Sequence, residues 1–155
     1  MPDNTATEKV DPRGPRFAAA ITAVLLALAL AVYQVSPLAA LALLLIQTAA
    51  FASGALIGLR AQPWGVVFRT LVRPRLDPPA ELEDAAPPRF AQGVGLVFAL
   101  VALLGWFISS PVLFYVAVGF ALVAALLNAI FDFCLGCEFY LLSKRLLGRT
   151  ADAAS

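Results

Sequence analysis

The sequence contains no histidine and only two cysteines among its 155 residues. Without histidine, the chain lacks the commonest general base and a nitrogen ligand that many zinc sites use. A closed tetrahedral zinc site would therefore need carboxylates or a second subunit. The sequence also has no glycine-rich phosphate-binding loop and no tract suited to nucleic acid, so we expect neither a cofactor nor a nucleic-acid partner. These absences leave the two thiols as the groups most able to carry chemistry.

Charged residues are also scarce, at 14% of the chain, whereas 61% of the residues are hydrophobic and the mean hydropathy is +0.87. Such values exclude an ordinary soluble domain. The apolar residues fall into four runs of about 20 residues, the length that a helix needs to cross the hydrocarbon. We expect one integral membrane domain over residues 1–155 of the all-α class, with transmembrane helices at 17–35, 37–59, 90–108 and 112–133.

The first run is longer than the apolar core of a typical signal peptide and continues through a short turn into the second, which favours a retained span. All 11 Lys and Arg residues lie before the first span, between the second and third, or after the fourth. By the positive-inside rule, both termini and the central loop face the cytoplasm, and the protein is predicted to lie in the plasma membrane. Two short uncharged turns connect the spans on the outside, so the four spans form two tandem hairpins.

Three segments outside the spans differ in composition. Residues 64–76 place apolar side chains at helical spacing with arginines on the other side, which predicts an amphipathic interfacial helix that binds anionic membrane lipids. Residues 77–88 form a proline-rich acidic linker. Residues 1–16 and 144–155 are predicted to be a cytoplasmic N-terminal segment and a cytoplasmic tail.

The two halves share a weak repeat. The sequence Pro-Arg-Phe-Ala occurs at residues 15–18 and again at 88–91, and Ser-Pro occurs at 36–37 and at 110–111. These identities fall at the starts of corresponding predicted helices, where proline and arginine have positional roles. We interpret them as an internal duplication of the hairpin, with a pseudo-symmetry axis along the membrane normal. The alternative is a chance match within sequence of low complexity.

The cysteines stand as Cys134-Leu135-Gly136-Cys137, where the fourth apolar run ends. Thiols at this spacing lie close enough to form a disulfide or to share a metal ion. The predicted orientation places them at the cytoplasmic rim, where thiols are normally kept reduced, and this favours a transient redox role over a permanent disulfide. Two small buried apolar side chains would be the purely structural alternative.

Asp132 is the predicted modulator of this pair. Its carboxylate could cap a new helical turn near Phe133, which would place Cys134 at a helix N-terminus that stabilises its thiolate. If the helix instead runs through, the carboxylate is a nearby base or a like charge that disfavours the thiolate. Within the spans, Gln47 and Asn128 are expected to form interhelical hydrogen bonds.

Three motifs carry a resemblance to a known family: Val-Asp-Pro-Arg-Gly-Pro-Arg-Phe at 10–17, Pro-Pro-Arg-Phe-Ala-Gln at 87–92 with Arg-Pro-Arg-Leu at 73–76, and Phe-Asp-Phe-Cys-Leu-Gly-Cys at 131–137. With these motifs, the chain resembles small four-span membrane proteins, mainly actinobacterial, that are classified as a domain of unknown function. The resemblance implies an integral membrane protein of unassigned activity, associated with thioredoxin-like or rhodanese-like sulfur proteins.

The function predicted from these observations is thiol-disulfide or sulfur exchange with a cytosolic partner. Cys134 would be the attacking thiolate and Cys137 the resolving thiol. Two alternatives remain: a non-enzymatic membrane scaffold that needs no thiol chemistry, and a transporter of a small sulfur compound. Four spans would have to form a homo-oligomer to enclose a transport path. Whether the protein is an enzyme is left open by the sequence.

Overall fold

The computed structural model describes residues 8–154, with side chains up to residue 150. This part of the chain contains six α-helices: α1 (Arg13–Val32), α2 (Pro37–Ala52), α3 (Pro63–Val67), α4 (Ala86–Phe107), α5 (Pro111–Phe131) and α6 (Leu135–Ala154). A π-helical turn, Ser53–Ile57, extends α2, and a second π-helical turn, Phe68–Val72, followed by a 3-10 turn, Arg73–Arg75, extends α3. Residues 1–7 of the predicted N-terminal segment, 1–16, lie outside the described residues, and so does Ser155 of the predicted tail.

Four helices in this range are long and apolar enough to cross a membrane: α1, α2 with its π-helical turn, α4 and α5. The predicted all-α class with four membrane-length helices is therefore confirmed, and the chain is a multi-pass membrane protein. The remaining long helix, α6, was not predicted from the sequence. It includes the described part of the predicted tail, 144–155.

A serine at the same place starts the second helix of each hairpin. The hydroxyl of Ser36 accepts a hydrogen bond from the Ala39 N–H at 3.3 Å, and the hydroxyl of Ser110 accepts one from the Leu113 N–H at 3.4 Å. In each case proline follows the serine at the first helical position, where its fixed φ suits a helix and its missing N–H would have no intrahelical partner. The hairpin turns therefore follow from local sequence.

The four long helices form a ring in which α1 packs against α2 and α5, and α4 packs against the same two helices. Because each hairpin is antiparallel, the starts of α1 and α4 and the ends of α2 and α5 lie at one end of the bundle. We call this the charged end, because every lysine and arginine of the chain belongs to these helix ends or to the segments joined to them.

The interior of the bundle is built largely from alanine, with larger side chains between the alanines. Leu26, Leu44 and Phe114 are fully or almost fully buried, and Gly105 lets α4 approach α5 so closely that a Cβ there would lie 2.7 Å from the Phe114 nitrogen. Small residues at helix contacts are typical of membrane helices, because they let backbones approach each other. Many Leu, Val and Phe side chains instead point outward, as expected for a surface in contact with lipid.

One buried polar chain crosses the interior near the charged end. Gln47, which is fully buried, donates its Nε2–H to the Thr22 hydroxyl at 3.0 Å and accepts a hydrogen bond from the Trp64 indole N–H at 3.1 Å. The predicted interhelical hydrogen bond of Gln47 is therefore present, and it joins α1 to α2. The Trp64 contact ties α3 to the same pair of helices.

The segment before α1 is fixed against the linker that precedes α4. The strand β1 (Lys9–Val10) pairs antiparallel with β2 (Glu83–Asp84). Next to it, Asp11 accepts hydrogen bonds from Nε and Nη2 of Arg13 at 3.0 and 2.8 Å. This guanidinium holds the pKa of the Asp11 carboxyl below its usual range, although burial opposes the shift.

Candidate functional site at the start of α6

The backbone breaks between α5 and α6, immediately before the cysteine pair. Asp132 adopts a left-handed conformation with φ of 55°, and its N–H donates to the Leu127 carbonyl. The N–H of Phe133 donates to the same carbonyl at 3.1 Å. Asp is one of the few non-glycine residues that adopt this conformation readily at a helix C-terminus. The helix does not run through, and Asp132 ends α5 rather than starting α6.

Cys134 occupies the N-cap position of α6. Its sulfur accepts a hydrogen bond from the Cys137 N–H at 3.2 Å, as a serine or aspartate oxygen does at other helix starts. The Cys134 carbonyl accepts from the Glu138 N–H at 3.0 Å, which is the first intrahelical bond. A cap from Asp132 was one of the two alternatives that the sequence left open, and in the structure Cys134 itself supplies the cap.

The two cysteines are joined by a disulfide bond, with their Cα atoms 5.2 Å apart. This separation lies within the normal range for disulfides. Both cysteines are half-buried. The pair is therefore not enclosed in the interior of the bundle.

Gly136, between the cysteines, sets the position of α6 against α4. A Cβ at this residue would lie 2.6 Å from the Cβ of Ala91 and 2.7 Å from its Cα, closer than real side chains approach. One turn further, the rings of Tyr140 and Phe90 lie 5.6 Å apart. The start of α6 is thus held by a backbone contact and an aromatic contact with α4.

Arg16 closes the end of α5 next to the cysteine pair. Its Nε donates to the Ala129 carbonyl at 3.0 Å and its Nη2 donates to the Ile130 carbonyl at 3.3 Å. These carbonyls belong to the last helical turn, whose C=O groups have no intrahelical partner, and a cation there complements the helix dipole. Because Arg16 lies on α1, the cap ties the first helix of the chain to the site.

Arg89 makes the corresponding contact at the end of the first hairpin. Its Nε donates to the Ala55 carbonyl at 3.0 Å and its Nη2 donates to the Leu56 carbonyl at 3.2 Å. The first helix of each hairpin therefore caps the second helix of the other hairpin. These two crossed caps join the hairpins at the charged end, where the disulfide lies.

The rest of α6 is amphipathic, and its residues 141–150 are all exposed. Its Phe139, Leu142 and Leu146 side chains are each more than half exposed and fall on one stripe of the helix. Lys144 lies 5.7 Å from the centre of the Tyr140 ring, and Arg145 is also exposed. The surface beside the disulfide is therefore apolar along one stripe and basic next to it.

Among the residues that the structure describes, no group of three or more His, Cys, Asp or Glu side chains could hold a metal ion. The arrangement can instead open and close an S–S bond at a helix start. Sequence reasoning had identified both cysteines and Asp132, but it gave no role at the site to Gly136, Ala91 or Arg16. The signal that could have found them is their position inside the three sequence motifs at 10–17, 87–92 and 131–137.

The motifs of the sequence analysis correspond to the contacts that build this site. Arg16 comes from the first motif, Phe90 and Ala91 come from the second, and Asp132 and the cysteine pair come from the third. Each motif supplies one side of the joint between α1, α4, α5 and α6.

Comparison with known proteins gives one family. No curated protein and no solved structure matches the chain significantly. A family model described as Domain of unknown function (DUF4395) matches residues 10–145, which include all the helices that form the bundle and the cysteine pair. The chain therefore belongs to this family of unknown function.

Proposed function

We propose that Cys134 and Cys137 form a reversible dithiol and disulfide pair that exchanges electrons or sulfur with a protein partner on the cytoplasmic side of the membrane. The observation that carries this proposal is the N-cap position of Cys134. A sulfur that accepts a backbone N–H at the start of a helix is stabilised as a thiolate, by the hydrogen bond and by the helix dipole. The thiolate is the reactive form in exchange.

The geometry supports different roles for the two cysteines. The sulfur of Cys134 lies before the first turn of α6 and accepts the hydrogen bond, whereas Cys137 lies within that turn and donates its N–H to it. Cys134 is therefore the attacking thiolate. Cys137 is the resolving thiol, because the 5.2 Å separation of the Cα atoms keeps its sulfur within bonding reach of Cys134.

In the reduced protein, the Cys134 thiolate attacks a disulfide of the partner. A mixed disulfide forms, the partner's S–S bond breaks, and its second sulfur leaves as a thiolate. The Cys137 thiolate then attacks the sulfur of Cys134 and displaces the partner, which takes up protons and leaves as a dithiol. The partner has gained two electrons, and the chain has become the disulfide. The reverse sequence oxidises a partner dithiol.

Partners of the thioredoxin-like or rhodanese-like classes fit this chemistry. With a rhodanese-like partner, the Cys134 thiolate accepts the outer sulfur of a persulfide, and the partner cysteine leaves as a thiolate. Attack by Cys137 on the sulfur of Cys134 then releases hydrogen sulfide and closes the disulfide. The exposed basic and apolar surface of α6 lies beside the sulfur atoms and offers a docking face for either class.

The cytoplasmic placement rests on the distribution of charge. All 11 lysines and arginines belong to the charged end of the bundle or to its attached segments, and the opposite hairpin turns contain none. By the positive-inside rule, the charged end and both termini face the cytoplasm. The membrane in this proposal is the plasma membrane. The interfacial role of the helix that begins at Pro63 and its contacts with anionic lipids follow from the same orientation.

We also propose that the two hairpins arose by duplication. The crossed caps made by Arg16 and Arg89 support it, since these arginines occupy the same place in the repeated Pro-Arg-Phe-Ala sequence and bond to corresponding turns. Each hairpin is followed by a helix that packs back on the first helix of that hairpin. Each of these following helices, with its extension, places an aromatic ring on the repeated phenylalanine: Phe68 on Phe17, with ring centroids 5.7 Å apart, and Tyr140 on Phe90. The thiols belong to the second unit alone.

The first test is a redox titration of the purified protein in glutathione buffers, with thiol alkylation and mass measurement. Exchange-active pairs change state reversibly between about −300 and −180 mV, and we expect the Cys134–Cys137 pair to do so. A variant with both cysteines replaced by serine is the control for nonspecific mass shifts. A pair that stays fully oxidised or fully reduced across this range refutes the exchange function and favours the scaffold alternative.

Single substitutions test the assignment of roles. Glutathione disulfide is the probe, and the reduced variants are followed by mass for one added glutathione. We expect Cys137→Ser to accumulate the mixed disulfide on Cys134, and Cys134→Ser to form its adduct about tenfold more slowly, because its remaining thiol lacks the N-cap hydrogen bond. Equal rates for the two variants would contradict the assignment of Cys134 as the attacking thiolate.

A further inference from the structure

A groove runs along the outer surface between the end of α2 and the start of α4. Its volume is about 560 Å³, and it is lined by Ala55 of the π-helical turn and by Ala86, Arg89, Phe90, Gly93 and Val97 of α4, among others. We call it the Arg89 groove. It exists because its floor consists of small residues: a Cβ at Gly93 would have no neighbour within 4 Å.

The part of the groove beyond Arg89 covers most of the depth of one membrane leaflet. From Arg89 to Val97 the helix rises roughly 12 Å at 1.5 Å per residue. Half the hydrocarbon thickness of a bilayer is about 15 Å. Val97, at the inner end of the groove, is 60% exposed and continues into the apolar outer surface of α4, where Leu100 and Leu104 are also exposed. The groove is thus continuous with the surface that faces lipid.

A fixed cation lies at the mouth of the groove. Arg89 uses its Nε and one Nη2 hydrogen bond to hold the carbonyls of Ala55 and Leu56, so its guanidinium is locked in place at the end of α2. A guanidinium has five N–H donors, and the others remain free to bind an oxyanion. Because the residue is exposed at the charged end, these donors are positioned at the depth of lipid headgroups.

We propose that the Arg89 groove binds one anionic membrane phospholipid, with an acyl chain along Gly93 and Val97 and its phosphate on Arg89. The occupant is a membrane lipid rather than a soluble phosphate, because an apolar channel leads from the cation through most of the depth of one leaflet. This site is separate from the cysteine pair and does not depend on thiol exchange.

The other hairpin provides an internal comparison. Arg16 makes the same two carbonyl contacts as Arg89. In the register of the Pro-Arg-Phe-Ala repeat, however, Arg13 stands in place of Ala86 and Ala20 stands in place of Gly93. The corresponding surface therefore carries larger side chains at both positions, and we propose lipid selectivity at Arg89 alone.

Gly93→Leu tests the proposal, because leucine occupies the volume of the groove, where a Cβ at Gly93 would have no neighbour within 4 Å. Gly119→Leu is the matched control: Gly119 lies on α5, and a Cβ there also has no neighbour within 4 Å. Native mass spectrometry of the detergent-purified protein would count bound phosphatidylglycerol, phosphatidylcholine with the same acyl chains, and glycerol 3-phosphate. Thermal unfolding without added lipid would show that each variant is folded.

We expect one phosphatidylglycerol to bind to the unaltered protein more tightly than phosphatidylcholine, and glycerol 3-phosphate not to displace it. Gly93→Leu should weaken this binding by about tenfold or more, because leucine and the acyl chain compete for one volume. Gly119→Leu should change it by less than about twofold. Unchanged binding in folded Gly93→Leu, equal loss in both variants, no preference for the anionic lipid, or displacement by glycerol 3-phosphate would each overturn the proposal.

Discussion

Gly136→Ala should loosen α6 from the bundle and thereby disturb the cysteine pair. The added methyl group would lie 2.6 Å from the Ala91 Cβ and 2.7 Å from the Ala91 Cα. Carbon atoms in contact prefer about 3.5 to 4.0 Å, so α6 must move away from α4 by roughly 1 Å. Forcing an extra methyl group into such a contact costs about 1 to 3 kcal/mol. The Phe90–Tyr140 contact one turn further along would open with it.

Amide hydrogen exchange of α6, followed by mass spectrometry in detergent or nanodiscs, measures this loosening. A cost of 1 to 3 kcal/mol in the docking of α6 predicts exchange that is roughly 5- to 150-fold faster over residues 139–150. Exchange in α1 should remain unchanged, because that helix does not contact Gly136. The same sample allows the redox state of the cysteine pair to be measured by alkylation.

Gly148→Ala is the control on the same helix, since a Cβ at Gly148 would have no neighbour within 4 Å. There alanine should slow exchange slightly, because glycine in a helix interior is less favourable than alanine by about 0.5 to 1 kcal/mol. Adding Ala91→Gly to Gly136→Ala should restore docking only in part, because the contact with the Cα of residue 91 remains. Equal exchange in Gly136→Ala and Gly148→Ala would refute the close approach of α6 to α4.

Three further predictions concern other contacts at the charged end. Arg16→Gln should lower the free energy of unfolding by about 1 kcal/mol, because two carbonyls at the end of α5 lose a charged donor; thermal unfolding in detergent checks this, and a stability equal to that of the unaltered protein would contradict the cap. The hydrogen bonds from Arg13 lower the pKa of Asp11, so the Asp11 carboxylate contributes its full stabilisation above the unfolded pKa of about 3.9 and loses it as the pH falls through the lower folded pKa. Asp11→Asn should remove that part of the pH dependence of the melting temperature. Identical melting profiles for the variant and the unaltered protein would count against the ion pair. Finally, the double variant Gln62→Cys, Gly65→Cys, made without the native cysteines, should form a disulfide at the start of α3. The Gln62 side chain already accepts a hydrogen bond from the Gly65 N–H there at 2.6 Å, as Cys134 does from Cys137 at the start of α6. If no disulfide forms under oxidising conditions, the starts of α3 and α6 are not equivalent.

Local sequence was sufficient for the main elements of the fold. Apolar runs of membrane length predicted four helices, and Ser36-Pro37 and Ser110-Pro111 marked where the second member of each hairpin begins. These features act over a few residues, through hydrogen bonds between a serine and the next turn and through the fixed φ of proline. For that reason they are readable from the sequence.

The sequence predicted the cysteine pair but not its surroundings. The expectation for Asp132 allowed either a cap for a new helix or a continuous helix. The structure ends α5 at Asp132 and gives the cap to Cys134. Both arrangements fit the same residues, and the choice depends on how α6 packs on α4. That packing joins Gly136 to Ala91 across 45 positions of the sequence, a separation at which periodicity and propensity carry no information.

By itself, the sequence determined the membrane class, the number of apolar helices of membrane length, their pairing into hairpins and the presence of a vicinal thiol pair. These properties depend on hydrophobicity, on charge and on contacts between close neighbours in the chain. Only the tertiary structure decided that Arg16 and Arg89 cap each other's hairpins, that α6 returns to α4, and that Gly93 opens a groove beside a fixed guanidinium. The physical reason is that each of these features is a contact between distant segments, and helices of similar composition can satisfy their own backbone hydrogen bonds in any relative position.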